Sequence, residues 1–311
     1  MRESFHSTVL FCYFCGAICA FALLLSSCDA TVSHSQLANA MSTNQTAWKQ
    51  QEITKDTSVD FKGVKFECRI PDVSNIEATK NPALILEDKH DKPDSIRSQY
   101  ISLNLRGKYA DQHAESFFKP KVEVYKIQEF RKALAKSADY VKTFDNKINL
   151  LKEIISEQPS TLKKIPYIRF IDASAALITH VKCMQFKSGK GIFYVTQFNI
   201  ENSLINNDGL AYVFQGVSSD DEYYVVATFP LSTSFLPDSY RDTKYKDYEL
   251  PEFFYEPKTK VINERNYKLY LSQMRAELEQ TPSQNFDPNL SLLEDSMSSL
   301  EINPSLFTDE K

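Results

Sequence analysis

The chain has 311 residues, 42% of them hydrophobic and 12% aromatic, and a formal charge of −5. That apolar content can build a sizeable core and excludes global disorder. A mildly acidic chain with no block of basic residues argues against nucleic acid as a partner.

The first long apolar run carries an address. Arg2 gives a positive start, and from Val9 to Leu25 no residue is charged. Such a length fits the apolar region of a signal peptide and is near the lower limit for a spanning helix. The run ends Leu23-Leu24-Leu25-Ser26-Ser27-Cys28. Small Ser26 and Ser27 sit where a peptidase must admit extended backbone, and Cys28 offers a thiol that can take a diacylglyceryl group. In these residues the segment resembles the signal peptides of bacterial lipoproteins. The resemblance implies a signal peptide over 1–27, acylation of Cys28, and a membrane anchor at the extracytoplasmic face of the cell envelope. Two acyl chains hold stably where one is marginal. A plain signal anchor is the alternative, since Cys12, Cys15 and Cys19 lie in the same run.

Residues 28–60 are rich in Ser, Thr, Asn, Gln, Ala and Lys, with Trp48 the lone large anchor. They read as a flexible lipidated tether, whose roughly thirty residues hold the following domain about 30 Å from the membrane on average. One α+β extracytoplasmic domain is expected over 61–302, with a tail at 303–311.

Phe61-Lys62-Gly63-Val64-Lys65-Phe66 reads as a short alternating strand. Tyr100–Arg106 alternates cleanly, with Ile101, Leu103 and Leu105 on one face. Val122-Glu123-Val124-Tyr125 is another strand. From Gln128 to Gln158 the apolar period changes, predicting one broken or two consecutive amphipathic helices that Pro159 ends. Strands follow at Ile178–Phe186, Ile192–Phe198, Leu210–Gln215 and Tyr223–Phe229, joined by short turns. Glycine is scarce, so Gly189 and Gly191 mark a hairpin where positive φ is wanted. Together these four strands predict an antiparallel meander, the core of the fold, with helices packed on it. Asn263 should cap a helix running to about Gln280. Asp287-Pro288 reads as the start of a last helix whose Leu290, Leu293, Met297 and Leu300 close over the sheet.

Past Cys28 only Cys68 and Cys183 remain, each in an expected strand. One disulfide between them would stabilise by about 4–5 kcal/mol in the chain-entropy model. Two buried thiols at unrelated places are equally compatible with the sequence.

Phe186, Gly189 and Gly191, then Thr196-Gln197-Phe198, then Phe214-Gln215-Gly216-Val217-Ser218-Ser219-Asp220 form a distinctive set. Tyr223-Tyr224-Val225, Phe229-Pro230-Leu231-Ser232 and Leu236-Pro237 continue it. In these residues the chain resembles a family of uncharacterised bacterial lipoproteins, seen mostly in cyanobacteria and other free-living bacteria. The resemblance implies an exported, lipid-anchored domain and assigns it no activity.

Chemistry is harder to find. His180 and Cys183 lie three apart on a strand, hence on opposite faces unless a bulge intervenes. No histidine spacing links the others as metal ligands, so no metal or cofactor is expected. Lys187–Gly191 lacks the order of a phosphate loop and precedes a strand, which makes it a turn. The aromatic and charged segment 238–256 is the best candidate for a partner surface. Its Tyr240, Tyr245, Tyr248, Phe253, Phe254 and Tyr255 can stack on a glycan or dock an envelope protein, or can pack a long connection against the sheet. Two functional readings stand: a non-catalytic binding or assembly lipoprotein, or a cell-envelope hydrolase whose site forms only in the fold. A pocket with two close carboxylates, or a histidine beside a nucleophile, favours the hydrolase.

Overall fold

The structure, a computed structural model, describes residues 57–83, 98–159, 162, 164–169, 171, 173–239 and 263–303. All of them lie within one compact unit. Its first element departs from expectation. Positive φ at Lys62 (49°) and Gly63 (81°) turns the chain back on itself, the two-residue geometry that suits hairpin twist. The stretch expected as one strand is therefore two, β1 (Thr57–Phe61) and β2 (Val64–Cys68), paired antiparallel.

The main sheet combines β3 (Asn75–Asn81), β4 (Tyr100–Arg106) and β5 (Lys121–Lys126) with β7 (Thr179–Phe186), β8 (Gly189–Asn199), β9 (Leu210–Ser218) and β10 (Tyr223–Pro230). A two-residue β6 (Ser174–Ala175) shares the outer edge of β8 with β7. The order is β3-β4-β5-β10-β9-β8, then β7 or β6, and every pair is antiparallel. The expected four-strand meander is present. It is extended by a second meander, β3-β4-β5, because β5 pairs β10 from Tyr223↔Lys126 to Thr228↔Lys121.

Between the two meanders the chain crosses one face of the sheet. It forms α2 (Ile127–Leu134) and α3 (Ala138–Glu157), after a short α1 (Lys108–Gln112) earlier in the chain. The break between α2 and α3 falls at Ser137, whose hydroxyl accepts from the Tyr140 amide at 3.4 Å and caps the second helix. Gln158 in the left-handed region (φ 46°) ends it before Pro159. Phe144, Ile148, Leu151 and Ile155 form the buried stripe of α3. They pack with Tyr125, Phe130, Ile192, Tyr194, Val213 and Tyr224 in one apolar cluster.

Pairing register decides which residues share a face. One row runs Ser102–Glu123–Val226–Gln215–Ile192–Cys183 across neighbouring strands, on the helix-covered side. The neighbouring row, Leu103–Val122–Ala227–Phe214–Phe193–Lys182, points the other way. That second face is aromatic too: Phe193 stacks on Tyr212 at 4.2 Å and touches Phe214 and Phe229. Both faces are covered, so the central strands β9 and β10 are buried along their whole length.

The C-terminal elements lie on the second face. Asn263 caps α4 (Glu264–Gln280) as expected, its side chain accepting from the Asn266 amide at 3.0 Å. The last helix, α5 (Leu290–Ser298), starts later than Asp287-Pro288 would place it. Asp287 is drawn into β12 (Phe286–Asp287), paired with β11 (Ser232–Thr233), and Asn289 becomes the cap instead, accepting from the Ser291 amide at 2.9 Å. Leu290, Leu293, Met297 and Leu300 are all buried. Burying each such side chain contributes about 1.5–3 kcal/mol. Glu294 on α5 accepts from Tyr212 Oη at 2.9 Å and pairs with Lys182, which ties the helix to that face. Ser296 and Ser299 accept from the Arg69 and Glu67 amides, each at 2.8 Å, and β13 (Glu301–Ile302) completes a small sheet β1-β2-β13.

Candidate functional site

The expected lipidation residue Cys28 and the aromatic set Tyr240, Tyr245, Tyr248, Phe253, Phe254 and Tyr255 lie outside the described residues. Cys68 and Cys183 are described, and neither is in a disulfide. Cys183 pairs with Ile192 and packs on the α3 side of the sheet. Cys68 ends β2, flanked by residues bonded to α5 on the other side. The eight-stranded sheet therefore stands between the two sulfurs, beyond the short reach a disulfide allows.

His180 and Cys183 also part company. A bulge does interrupt β7 between Thr179 and Lys182, and His180 adopts φ 48°. This turns the imidazole to the C-terminus of α4, where Nε2 lies 2.6 Å from the Leu278 carbonyl oxygen, edge-on to Phe286. Glu279 of α4 accepts from the His180 amide at 3.0 Å and from the Thr179 hydroxyl. Burial alone would raise the Glu279 pKa, but these two donors hold it below the ordinary carboxylate value. The result is a latch between β7 and α4.

One histidine does stand beside a nucleophile type. His113 Nδ1 is 3.2 Å from Ser116 Oγ, and the imidazole packs edge-on against Tyr109. Burial holds His113 below its usual value, with Asp287 opposing and Lys119 adding. The surroundings commit the pair to closing a turn. Ser116 is 4% exposed, its amide donates to the His113 carbonyl, and the next amide, Phe117, donates to Asp208. The amide of Ser116 and the one that follows it are thus both engaged within the turn and its contact to Asp208, not turned toward a substrate oxygen.

The hairpin at Lys187–Ser188 forms as expected, with Phe186 opposite Gly189, but positive φ is not the reason for its glycines. Gly189 and Gly191 are absent from the positive-φ glycines of the described chain. Gly191 faces Gly216 across the β8–β9 pair, and the ring of Phe214 lies where a Cβ at either would stand. Glycine is needed for close approach.

A buried polar cluster on the helix-covered face was not visible in the sequence as a site. Glu123, 2% exposed, pairs with Lys121 at 2.7 Å and Arg169 at 3.0 Å, and accepts from Tyr125 Oη at 3.3 Å. Burial works against the charge on Arg169, but Glu123 and the tyrosines around it hold its pKa above the ordinary guanidinium value. Beside it Gln215, fully buried, clamps the segment crossing the sheet. Its Nε2 donates to the Pro166 carbonyl at 2.9 Å and its Oε1 accepts from the Ile168 amide at 3.1 Å. Tyr194 Oη and Tyr224 Oη complete the amide at 3.0 and 2.8 Å. Tyr167 is buried, its hydroxyl makes no hydrogen bond among the described residues, and its pKa is pushed up to about 12 by burial. The only sequence signal was period two: Glu123 shares a face with Tyr125, and that face proves to be the covered one.

Among the described residues no cluster of His, Cys, Asp or Glu could hold a metal ion. An open groove of about 580 Å³ lies between α2 and α3. No family model, curated protein or solved structure matches this chain.

Proposed function

We propose that this is a lipid-anchored protein of the cell envelope whose α+β domain is a non-catalytic binding or assembly module on the extracytoplasmic side. The observation that carries the reading is Leu23–Cys28 at the end of an uncharged run. Cys28 takes the acyl chains, and the tether up to the first described strand at Thr57 gives the domain roughly 30 Å of reach on average. The uncharacterised bacterial lipoproteins that the meander resembles share this organisation on the same reading. No described helix is long and apolar enough to cross a membrane, so attachment here rests on the N-terminal run. Partners are an envelope protein or glycan met by the aromatic segment 238–256.

Intact mass of protein extracted from membranes tests it. The expected species begins at Cys28 and carries diacylglyceryl and acyl groups, whereas Cys28→Ala accumulates as the uncleaved precursor. A Cys28→Ala protein cut at the same point and partitioning with bilayers like the wild type refutes the reading.

The hydrolase alternative has one arrangement in its favour, Ser116 beside His113. Labelling by a fluorophosphonate, lost in Ser116→Ala, would replace the binding-module reading with it. The expected result is no labelling, because that hydroxyl is buried.

A further inference from the structure

The segment that forms the groove between α2 and α3 is more basic than the chain as a whole. From Lys126 to Lys147 the chain carries six basic residues and three acidic ones, in a protein whose overall charge is −5. Three of those cations, Arg131, Lys132 and Lys142, line the groove against one carboxylate, Asp145. Ala135, Ala138 and Val141 supply small apolar walls. A volume of about 580 Å³ falls within the range of small-molecule sites.

The decisive detail is how Arg131 is held. Its Nε donates to Asp145 Oδ1 at 2.7 Å, across from one helix to the other, and the guanidinium makes no other bond among the described residues. Asp145 therefore orients the side chain through its inner nitrogen and leaves both terminal nitrogens open. A fork so fixed is suited to two parallel hydrogen bonds with a tetrahedral or planar oxyanion. Lys142 has no partner among the described residues, and Lys132 is held at the rim by Glu129 at 2.7 Å. A phosphate monoester, with roughly −1.5 to −2 charge at neutral pH, can use both the open guanidinium edge and the unpaired Lys142 ammonium, since Arg131 and Lys132 are each already balanced by one carboxylate.

We propose that the α2–α3 groove binds the phosphate group of a small organic phosphate, with Arg131 as its bidentate contact and Lys142 as its second cation. The carbon skeleton of the ligand lies on the alanine and valine walls. The phosphate can belong to a soluble ester or to a lipid headgroup. The site does not depend on acylation at Cys28, so its failure and the failure of the anchor are read in different experiments.

The test is calorimetric titration of the purified full chain in mild detergent with glycerol 3-phosphate, glycerol serving as the neutral control. Co-sedimentation with phosphatidylglycerol vesicles, against phosphatidylcholine vesicles, runs in parallel. Saturable binding in either arm is expected, and the arm that responds identifies the source of the phosphate. Arg131→Gln and Arg131→Lys should each weaken it about tenfold or more, the second because a point charge cannot replace the fork. Lys142→Gln should weaken it several-fold; Lys142 is exposed and the Arg131 side chain is 35% exposed, so thermal unfolding of the variants should stay near that of the wild type. Absence of binding in both arms up to about 10 mM phosphate, or equal binding by Arg131→Gln, overturns the proposal.

Discussion

Replacing Glu123 with glutamine keeps the side-chain volume and removes one charge from the most enclosed ionic cluster among the described residues. Glu123 is 2% exposed, while the side chains of its partners Lys121 and Arg169 are 22% and 19% exposed. Breaking a buried pair from one side costs about 3–5 kcal/mol, because the remaining charge has lost its partner without regaining water. Both cations keep a narrow route to solvent, so the low end applies, about 3 kcal/mol. For a domain of this size that lowers the thermal midpoint by roughly 6–12 °C. Thermal and urea unfolding of Glu123→Gln beside the wild type reads the effect. Adding Arg169→Met should recover part of the loss, since the second change removes the stranded guanidinium, and the two substitutions will then be non-additive. A Glu123→Gln protein within about 0.5 kcal/mol of the wild type refutes the reasoning and means that water already screens the cluster.

Gly191→Ala would drive a methyl group into the ring of Phe214, which is fully buried; overpacking of this kind should cost about 1–3 kcal/mol, read as a lower urea midpoint. Asn207→Ala removes bonds to the Thr233 amide (2.9 Å) and to the Thr233 and Leu236 carbonyls (3.1 and 3.3 Å), leaving buried backbone groups without partners. A loss of about 2–3 kcal/mol is expected, and unchanged stability would mean that water enters behind β11. His113 has its pKa lowered by burial, so the folded protein resists its protonation. That contribution is complete above the ordinary histidine value of about 6.5 and declines as pH falls through it toward the folded value. Urea midpoints from pH 8 to pH 5 should therefore fall less steeply in His113→Gln, and identical slopes would show that His113 is not the group responsible.

How far the fold was legible depended on whether a segment carried its own local signal. The strands β7 to β10 announced themselves through alternation and turn residues, and α4 through Asn263 and its apolar stripe. The β1–β2 hairpin did not, because Lys62 sits at positive φ, where lysine is not a turn signal. The start of α5 was misplaced for a different reason. Asp287-Pro288 has the local chemistry of a helix start, but pairing with Ser232 claims Asp287, a contact between segments far apart in the chain.

The residues that suggest a lipoprotein family turn out to assemble the sheet. Phe214 lies over Gly191 and Gly216, Gln215 clamps the crossing segment, and Gln197 holds the Asn206 amide and the Leu204 carbonyl. Ser218 caps the turn before Tyr223, whose amide it accepts at 2.9 Å. The contacts these residues make are those of a fold. The candidate site was less legible still. Arg131 and Asp145 are fourteen positions apart, and nothing in either helix taken singly announces that they meet.

By itself the sequence determined where apolar residues repeat, where helices begin, and that an uncharged run ends in Ser26-Ser27-Cys28. These are local properties, settled by side-chain period, capping and charge within a few residues. Only the tertiary structure decided that both faces of the sheet are covered, so that Glu123 and Gln215 are buried rather than solvated. It alone set Cys68 and Cys183 on opposite sides of that sheet, and brought α2 against α3 to form a groove. Each of those outcomes depends on which surfaces close against each other, and packing between distant segments leaves no periodic trace in the chain.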